Sequence, residues 1–506
     1  MRLTRSAIPP LAFGLFALAA ATAMGEVGTG FVRFDVPKEL VLHGLVLALA
    51  LVAIVRRDVG FDRVDRGAGL FLLALVPGAL FVTAPSLALR QGALTVSLVA
   101  LFIHARRDPE LAAKMALSVA VVLALSGLAE ATGLVSLSAE GFAPGGLTGQ
   151  RNHLAHAVAL GLALAFGRAT PRTREYAFVF GASVVLAAAL VVTRSRAGWV
   201  AAGAAFVVAL VTAPRRAVAS LLGAMGGVAL GVATPLAIHW WDPHPYRETA
   251  ARLFEYRSGS GAVRIDEARA TLRMFRDHFV FGVGPGQWAS ECPAYAPPRL
   301  SALAASTGEL PRLAHADGLA RLAEGGLLGV AGAFAWAQRS VASLRARGAL
   351  GQAAPFVVAF IAIELLDAGI SIPATGLVAA LGAASSFPRD GAAEHAPAPR
   401  WPHGAVIAVA LAGIAVLLRV RAADRAMVGE TDGRALVAAC EADPTAAGHC
   451  VEAARHALGA NDAAAAQRAV DALARAYPAH PVLPSLRQEL AGRTPTGHRD
   501  GGAVAL

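Results

Sequence analysis

Apolar residues fall in long runs along the chain, separated by short polar connections. Each run covers roughly 17–22 residues, the length that crosses about 30 Å of hydrocarbon as a helix. The runs lie at 8–24, 39–55, 68–84, 87–104, 115–135, 152–168, 177–193, 197–213, 217–239, 315–337, 353–371, 373–388 and 404–420. They predict an all-α polytopic membrane protein with about 12–13 transmembrane helices. Pro373 interrupts 353–388, so that pair reads as one span or two. Arg90 in the fourth run, and His153 and His156 in the sixth, are expected to face protein or water, because a polar group facing lipid is costly. The first run follows Arg2 and Arg5 and resembles a signal peptide. No clear small-residue cleavage site leads into a soluble domain, so it reads as a helix.

The polar connections carry an orientation signal. Arg56, Arg57, Arg63 and Arg66 share one connection, and Arg106, Arg107 and Lys114 share the second one after it. Arg168, Arg172 and Arg174 follow, then Arg215 and Arg216, then Arg339, Arg345 and Arg347. These are alternate connections, so the positive-inside rule predicts a cytoplasmic N-terminus. The chain then divides into an N-terminal transmembrane bundle (1–239), a large outer loop (240–314), C-terminal transmembrane helices (315–420) and an outer tail (421–506). The loop opens with Trp240, Trp241 and Tyr246 and contains an amphipathic helix near 262–278. In the tail, 444–458 and 461–476 read as Ala-rich helices, and Pro478, Pro481 and Pro484 then break the pattern. The pair reads either as one tetratricopeptide-like unit or as a plain helical hairpin. The last dozen residues read as disordered.

Composition narrows the function classes. Hydrophobic residues make up 56% and charged residues 16% of the 506. Soluble domains are nearer a quarter charged, so disorder is excluded and a purely soluble enzyme is disfavoured. The formal net charge of +10 is dominated by Arg and, in a membrane protein, reads as basic inner loops, with no nucleic-acid partner implied. Three Cys make neither a disulfide scaffold nor a Cys-built zinc site. Cys440 and Cys450 flank Asp443-Pro444, a natural turn. In an oxidising compartment they could close a disulfide across a hairpin; two unrelated small apolar residues are the other reading.

There is no phosphate-binding Walker loop, His-Glu-x-x-His or nucleophile elbow. Gly282-Val283-Gly284-Pro285-Gly286 lacks the strand and helix of a nucleotide loop, and reads as a turn bringing backbone close to a ligand or a neighbouring helix. Three features remain on the outer side. Thr193-Arg194-Ser195-Arg196-Ala197-Gly198-Trp199 opens a membrane helix. Arg264 opens a loop helix with Arg269, Arg273 and Arg276. His315 sits where the loop re-enters the membrane, beside Asp317 and Glu324. Alone, each also reads blandly, as interfacial arginines, a solvated face and an interfacial histidine. Together, paired guanidiniums can hold a pyrophosphate, and a neutral imidazole can take a proton from a hydroxyl. By helical spacing neither Asp317 nor Glu324 is placed to orient His315.

At these residues the chain resembles the O-antigen ligase-like membrane proteins, which include O-antigen ligases, O-antigen polymerases and bacterial protein O-oligosaccharyltransferases. The matching pieces are Gly149-Gln150-Arg151-Asn152-His153-Leu154-Ala155, Ser195-Arg196-Ala197-Gly198, Arg264 followed by Asp277-His278-Phe279 through Gly286, and His315 with Leu319, Glu324 and Gly326. They keep the family's order over about 149–330. The family usually has an aromatic four residues after the loop arginine, where this chain has Ala268, and Asn after the loop histidine, where it has Ala316.

The resemblance implies a membrane glycosyltransferase on the periplasmic side of the bacterial inner membrane. It would move a glycan from an undecaprenyl-pyrophosphate carrier to a hydroxyl on lipid A-core, on another glycan or on a protein. His315 would be the catalytic base, and Arg196, Arg264, Arg194 and Arg269 would bind the donor. The reaction would invert the anomeric centre, with no metal and no cofactor; no carboxylate cluster of divalent-ion type is evident in the sequence. A polytopic transporter or lipid-linked glycan flippase is the competing reading. Against it, the halves show no related symmetry, and the long loop does not lie between two halves. A tail outside the membrane resembles the protein-glycosylating branch.

Overall fold

The computed structural model describes residues 10–25, 30–56, 61–137, 144–168, 173–212, 214–233, 259–307, 313–389, 401–427 and 433–492. Trp240, Trp241, Tyr246 and the last dozen residues, on which expectations were placed, lie outside them. Among the described residues there are twenty α-helices and no strand. The first nine are α1 (Pro10–Thr22), α2 (Gly30–Arg56), α3 (Arg63–Ala79), α4 (Pro85–Ala105), α5 (Pro109–Ala131), α6 (Arg151–Gly167), α7 (Thr173–Thr193), α8 (Arg196–Thr212) and α9 (Pro214–Ala233). The helices of the 240–314 loop, expected to lie outside, are α10 (Gly259–Asp277), α11 (Trp288–Tyr295) and α12 (Pro298–Thr307). The chain then returns through α13 (Asp317–Ala346), α14 (Leu350–Leu366), α15 (Pro373–Ser386) and α16 (Trp401–Met427). The tail is α17 (Gly433–Ala442), α18 (Ala447–Gly459), α19 (Ala463–Ala476) and α20 (Leu483–Ala491).

Each predicted apolar run contains a helix among the described residues, and the molecule is an all-α, multi-pass membrane protein. Among the described residues, five stretches are long and apolar enough to cross a bilayer alone: Val32–Val55, Pro85–Ala105, Pro109–Ala131, Glu175–Thr193 and Trp401–Met427. Ala12–Thr22, Arg196–Thr212, Ala217–Ala233 and Leu350–Leu366 are shorter apolar helices. The ambiguous pair is two helices, with Pro373 in the first turn of α15, where no backbone N–H is required.

Helix α6 is the axis of the bundle. Leu154 through Gly167 are all buried, because α5, α7, α8, α14 and α15 surround it. Alanine dominates this core, which lets helix axes approach closely where no hydrophobic effect drives association. The closest pair shows the rule best. Gly223, Gly227 and Gly231 of α9 lie on one face against α7, and a Cβ on Gly227 would stand 2.3 Å from the Val184 carbonyl oxygen.

Helix α13 is broken at Gly326, whose φ of 58° a side chain would strain. The break frees backbone groups that hydrocarbon cannot satisfy. The 279–286 segment satisfies them: Leu327 and Leu328 N–H donate to the Phe279 and Val280 carbonyls, and Val283 and Gly284 N–H donate to the Ala323 and Glu324 carbonyls. The glycine-rich segment is thus the expected close-approach turn, meeting a neighbouring helix.

The tail departs from expectation. It has four helices, because α17 precedes the expected pair and α20 follows the prolines, with Pro484 in its first turn. Cys440 on α17 and Cys450 on α18 are joined by a disulfide across the 443–446 turn, their Cα atoms 4.9 Å apart. The tail shares one hydrophobic core with the outer-loop helices, including Trp288, Cys292 and Leu300.

Candidate active site

The site forms at one end of the bundle, where α6 and α8 begin, α7 and α14 end, and the outer loop enters α13. Its centre is Asp367, the residue that ends α14. Asp367 is buried, and one carboxylate oxygen lies 2.9 Å from His315 Nδ1. The other accepts a 2.6 Å hydrogen bond from Arg264 Nη2, while Arg264 Nη1 donates to the Leu366 carbonyl at 3.1 Å. His156 on α6 places Nε2 3.7 Å from the same carboxylate and Nδ1 3.1 Å from the Ala368 carbonyl oxygen.

A rigid turn aims Asp367. Asp317, at the start of α13, accepts N–H bonds from Gly369 (2.7 Å) and Ser371 (2.9 Å), and the Ser371 hydroxyl as well. Glu364 accepts from Ile370 N–H at 3.0 Å. Asp317 thus holds the turn that carries the carboxylate bonded to His315. Glu267 of α10 accepts the His315 backbone N–H at 3.1 Å and ties the outer loop to the same point.

Two opposing effects set the protonation of His315. Burial works against a charged ring, but the hydrogen bond and charge of Asp367, aided by Glu267, outweigh burial and the opposing charge of Arg264, and the pKa is raised. Burial would raise the Asp367 pKa, yet the His315 hydrogen bond and the charges of His156, Arg264 and His315 hold it well below the carboxylate range. Burial pushes Glu267 up. With Nδ1 engaged by Asp367, Nε2 is the His315 atom left to exchange a proton, and His315 lines a cavity of about 410 Å³.

The other predicted residues divide. Arg194 and Arg196 stand at the α7–α8 turn, Arg194 with a left-handed φ of 55°. Arg151 at the start of α6 feels the charges of Arg194, Arg196, Arg264 and Asp367, so these arginines share one neighbourhood, and Arg264 is the one bonded to Asp367. Arg264 belongs to this group, but its terminal nitrogens are committed to Asp367 and Leu366, and Nε alone is buried without a partner. Arg269 is not brought in: it is exposed, pairs with Asp266 at 3.6 Å, and does not line the cavity. His153 lines the cavity and His156 faces the site, as expected of polar groups in that run. Arg90 also lines it, paired with Glu39.

Sequence reasoning missed Asp367, which lies 52 positions from His315. The signal was an acid at the edge of an apolar run, followed by the breakers Gly369 and Pro373. It also passed over Arg151, which stands inside a quoted motif. Residues 181–334 match the family model for O-antigen ligase. The match covers Arg194, Arg196, Arg264 and His315, and leaves Arg151, Asp367 and the tail outside it. No curated protein matches the chain.

Proposed function

We propose that this multi-pass membrane protein, whose residues 181–334 match the O-antigen ligase model, is a glycosyltransferase of ligase or polymerase type that moves a glycan from an undecaprenyl-pyrophosphate carrier to an acceptor hydroxyl on the periplasmic face of the inner membrane. The observation that carries this reading is the His315–Asp367 pair set beside the arginine cluster. His315 Nε2 removes the acceptor hydroxyl proton as that oxygen attacks the anomeric carbon. The bond from that carbon to the carrier pyrophosphate breaks, and the electron pair leaves with the pyrophosphate. Arg196, Arg194 and Arg151 supply countercharge to the leaving group, which guanidinium forks suit geometrically. Arg264 adds charge while fixing Asp367, and Asp367 stabilises the imidazolium formed on proton transfer. Attack from the face opposite the pyrophosphate inverts the configuration. No step needs a metal, since the guanidiniums carry the electrostatic load.

The test is transfer from a lipid-linked donor by membranes carrying the protein. His315→Ala is expected to lower the rate by about 10²–10⁴-fold while the protein stays inserted and binds donor. An alanine variant within a few-fold of the parent, or a product with retained configuration, would overturn the assignment. Arg196→Lys keeps the charge and loses the fork, and is expected to weaken donor use. Absence of transfer by the parent protein would favour the transporter reading.

A further inference from the structure

The cavity that His315 lines has a second wall that plays no part in the reaction so far. It is built by Asp424 at the end of α16 and by Asp443, Thr445, His449 and Tyr477 of the tail. The tail is fastened in place there. Ser290 of α11 donates to the Ala476 carbonyl at 2.6 Å, the Tyr477 hydroxyl donates to the Thr445 carbonyl at 2.6 Å, and the Cys440–Cys450 bridge braces the 443–446 turn.

Asp424 stands out on this wall. It is 1% exposed, and among the described residues neither of its oxygens accepts a hydrogen bond. His449 Nε2 lies 3.7 Å away, beyond hydrogen-bonding reach. A buried carboxylate without donors is costly, so a ligand that brings donors gains by filling the gap. A phosphate cannot do so, because it adds a like charge. The arginine cluster that suits a phosphate does not line this cavity. The two arginines that do, Arg90 and Arg321, are paired with Glu39 and Glu324. A neutral ligand with several hydroxyls fits both facts.

We infer that the end of α16 and the tail build the acceptor subsite, and that Asp424 with His449 beside it recognises a hydroxyl-bearing saccharide. The inference rests on the transfer reaction proposed above and gives it a direction. The pyrophosphate lies on the arginine side of Asp367, the acceptor sugar on the tail side, and His315 stands between them.

Saturation-transfer NMR on the detergent-solubilised full chain tests this, with methyl glucoside, galactoside and mannoside and a serine-containing peptide as probes. At least one glycoside is expected to bind the parent. Its binding should weaken about tenfold or more in Asp424→Asn, the loss of hydrogen bonds to a charged group, and persist in Arg276→Gln, an exposed residue that does not line the cavity. If Asp424→Asn does not insert, His449→Gln serves in its place with the same expectation. No glycoside binding to the parent, unchanged binding in both variants, or binding of the peptide alone would overturn the inference. The two readings fail separately: transfer surviving in His315→Ala sinks the catalytic role and leaves the glycoside result standing.

Discussion

At the scale of single residues, Asp367 decides how His315 behaves. Removing its charge removes the main influence that raises the histidine pKa, leaving burial and the charge of Arg264 to lower it against Glu267. As a base His315 must be neutral, so activity should rise with pH through a limb above the usual histidine value. Asp367→Asn is expected to move that limb to lower pH and to cut the plateau rate by about 10²-fold or more; a pH–rate profile of both proteins checks it. The stability sign runs the same way. The raised pKa makes the charged His315–Asp367 pair stabilising below the unfolded histidine value, and that stabilisation is lost as pH rises through the folded value. Arg106 poses the same question at the opposite end of the bundle. It is fully buried and bonds to Asp62, Asp65 and the Phe387 and Pro388 carbonyls. Arg106→Ala removes the cation bonded to both buried carboxylates, leaving Asp65 only the longer 3.7 Å pairing with Arg389, and should destabilise by about 3–5 kcal/mol, measurable as a lower unfolding midpoint in detergent.

At the scale of elements, the broken helix α13 links fold to site. Its first half carries Asp317, Arg321 and Glu324 toward the cavity, and the break at Gly326 sets the angle at which they arrive. A Cβ on Gly326 would meet the Val280 carbonyl oxygen at 2.6 Å and would also force a left-handed backbone. Gly326→Ala is therefore expected to cost at least about 1–2 kcal/mol. It should lower transfer more than a distant mutation of equal thermal cost; melting curves and rates measured on the same preparations separate the two effects.

At the scale of the whole molecule, the tail and the loop helices share a core, and tail residues line the same cavity as His315. The disulfide in α17–α18 accords with a tail in an oxidising compartment, the periplasmic placement that alternating basic connections predict. Thiol labelling of intact cells is expected to reach Cys440 and Cys450 only after reduction, and labelling without reductant would refute the bond. Replacing both cysteines with Ala should destabilise the tail by roughly 2–3 kcal/mol on the loop-entropy scale. Transfer should fall with it if the cavity wall loosens.

The sequence by itself determined the all-α membrane architecture, because hydrocarbon demands runs of apolar residues long enough to be seen without any partner. It also singled out His315, Arg194, Arg196 and Arg264, since each stands as a polar residue at the edge of such a run or in an amphipathic loop helix. The tail helix α20 escaped it, because a proline that ends one helix can equally begin the next. The partner of His315 escaped it too. Spacing along one helix tests only residues a few positions apart, while Asp367 reaches the histidine by a turn between two other helices. Tertiary packing alone decided that Arg264 would grip that carboxylate, that Arg269 would face away, and that Asp424 and the tail would form a wall of the same cavity. Such contacts depend on where several helix ends meet in space, and no local pattern of apolar and polar positions encodes that meeting.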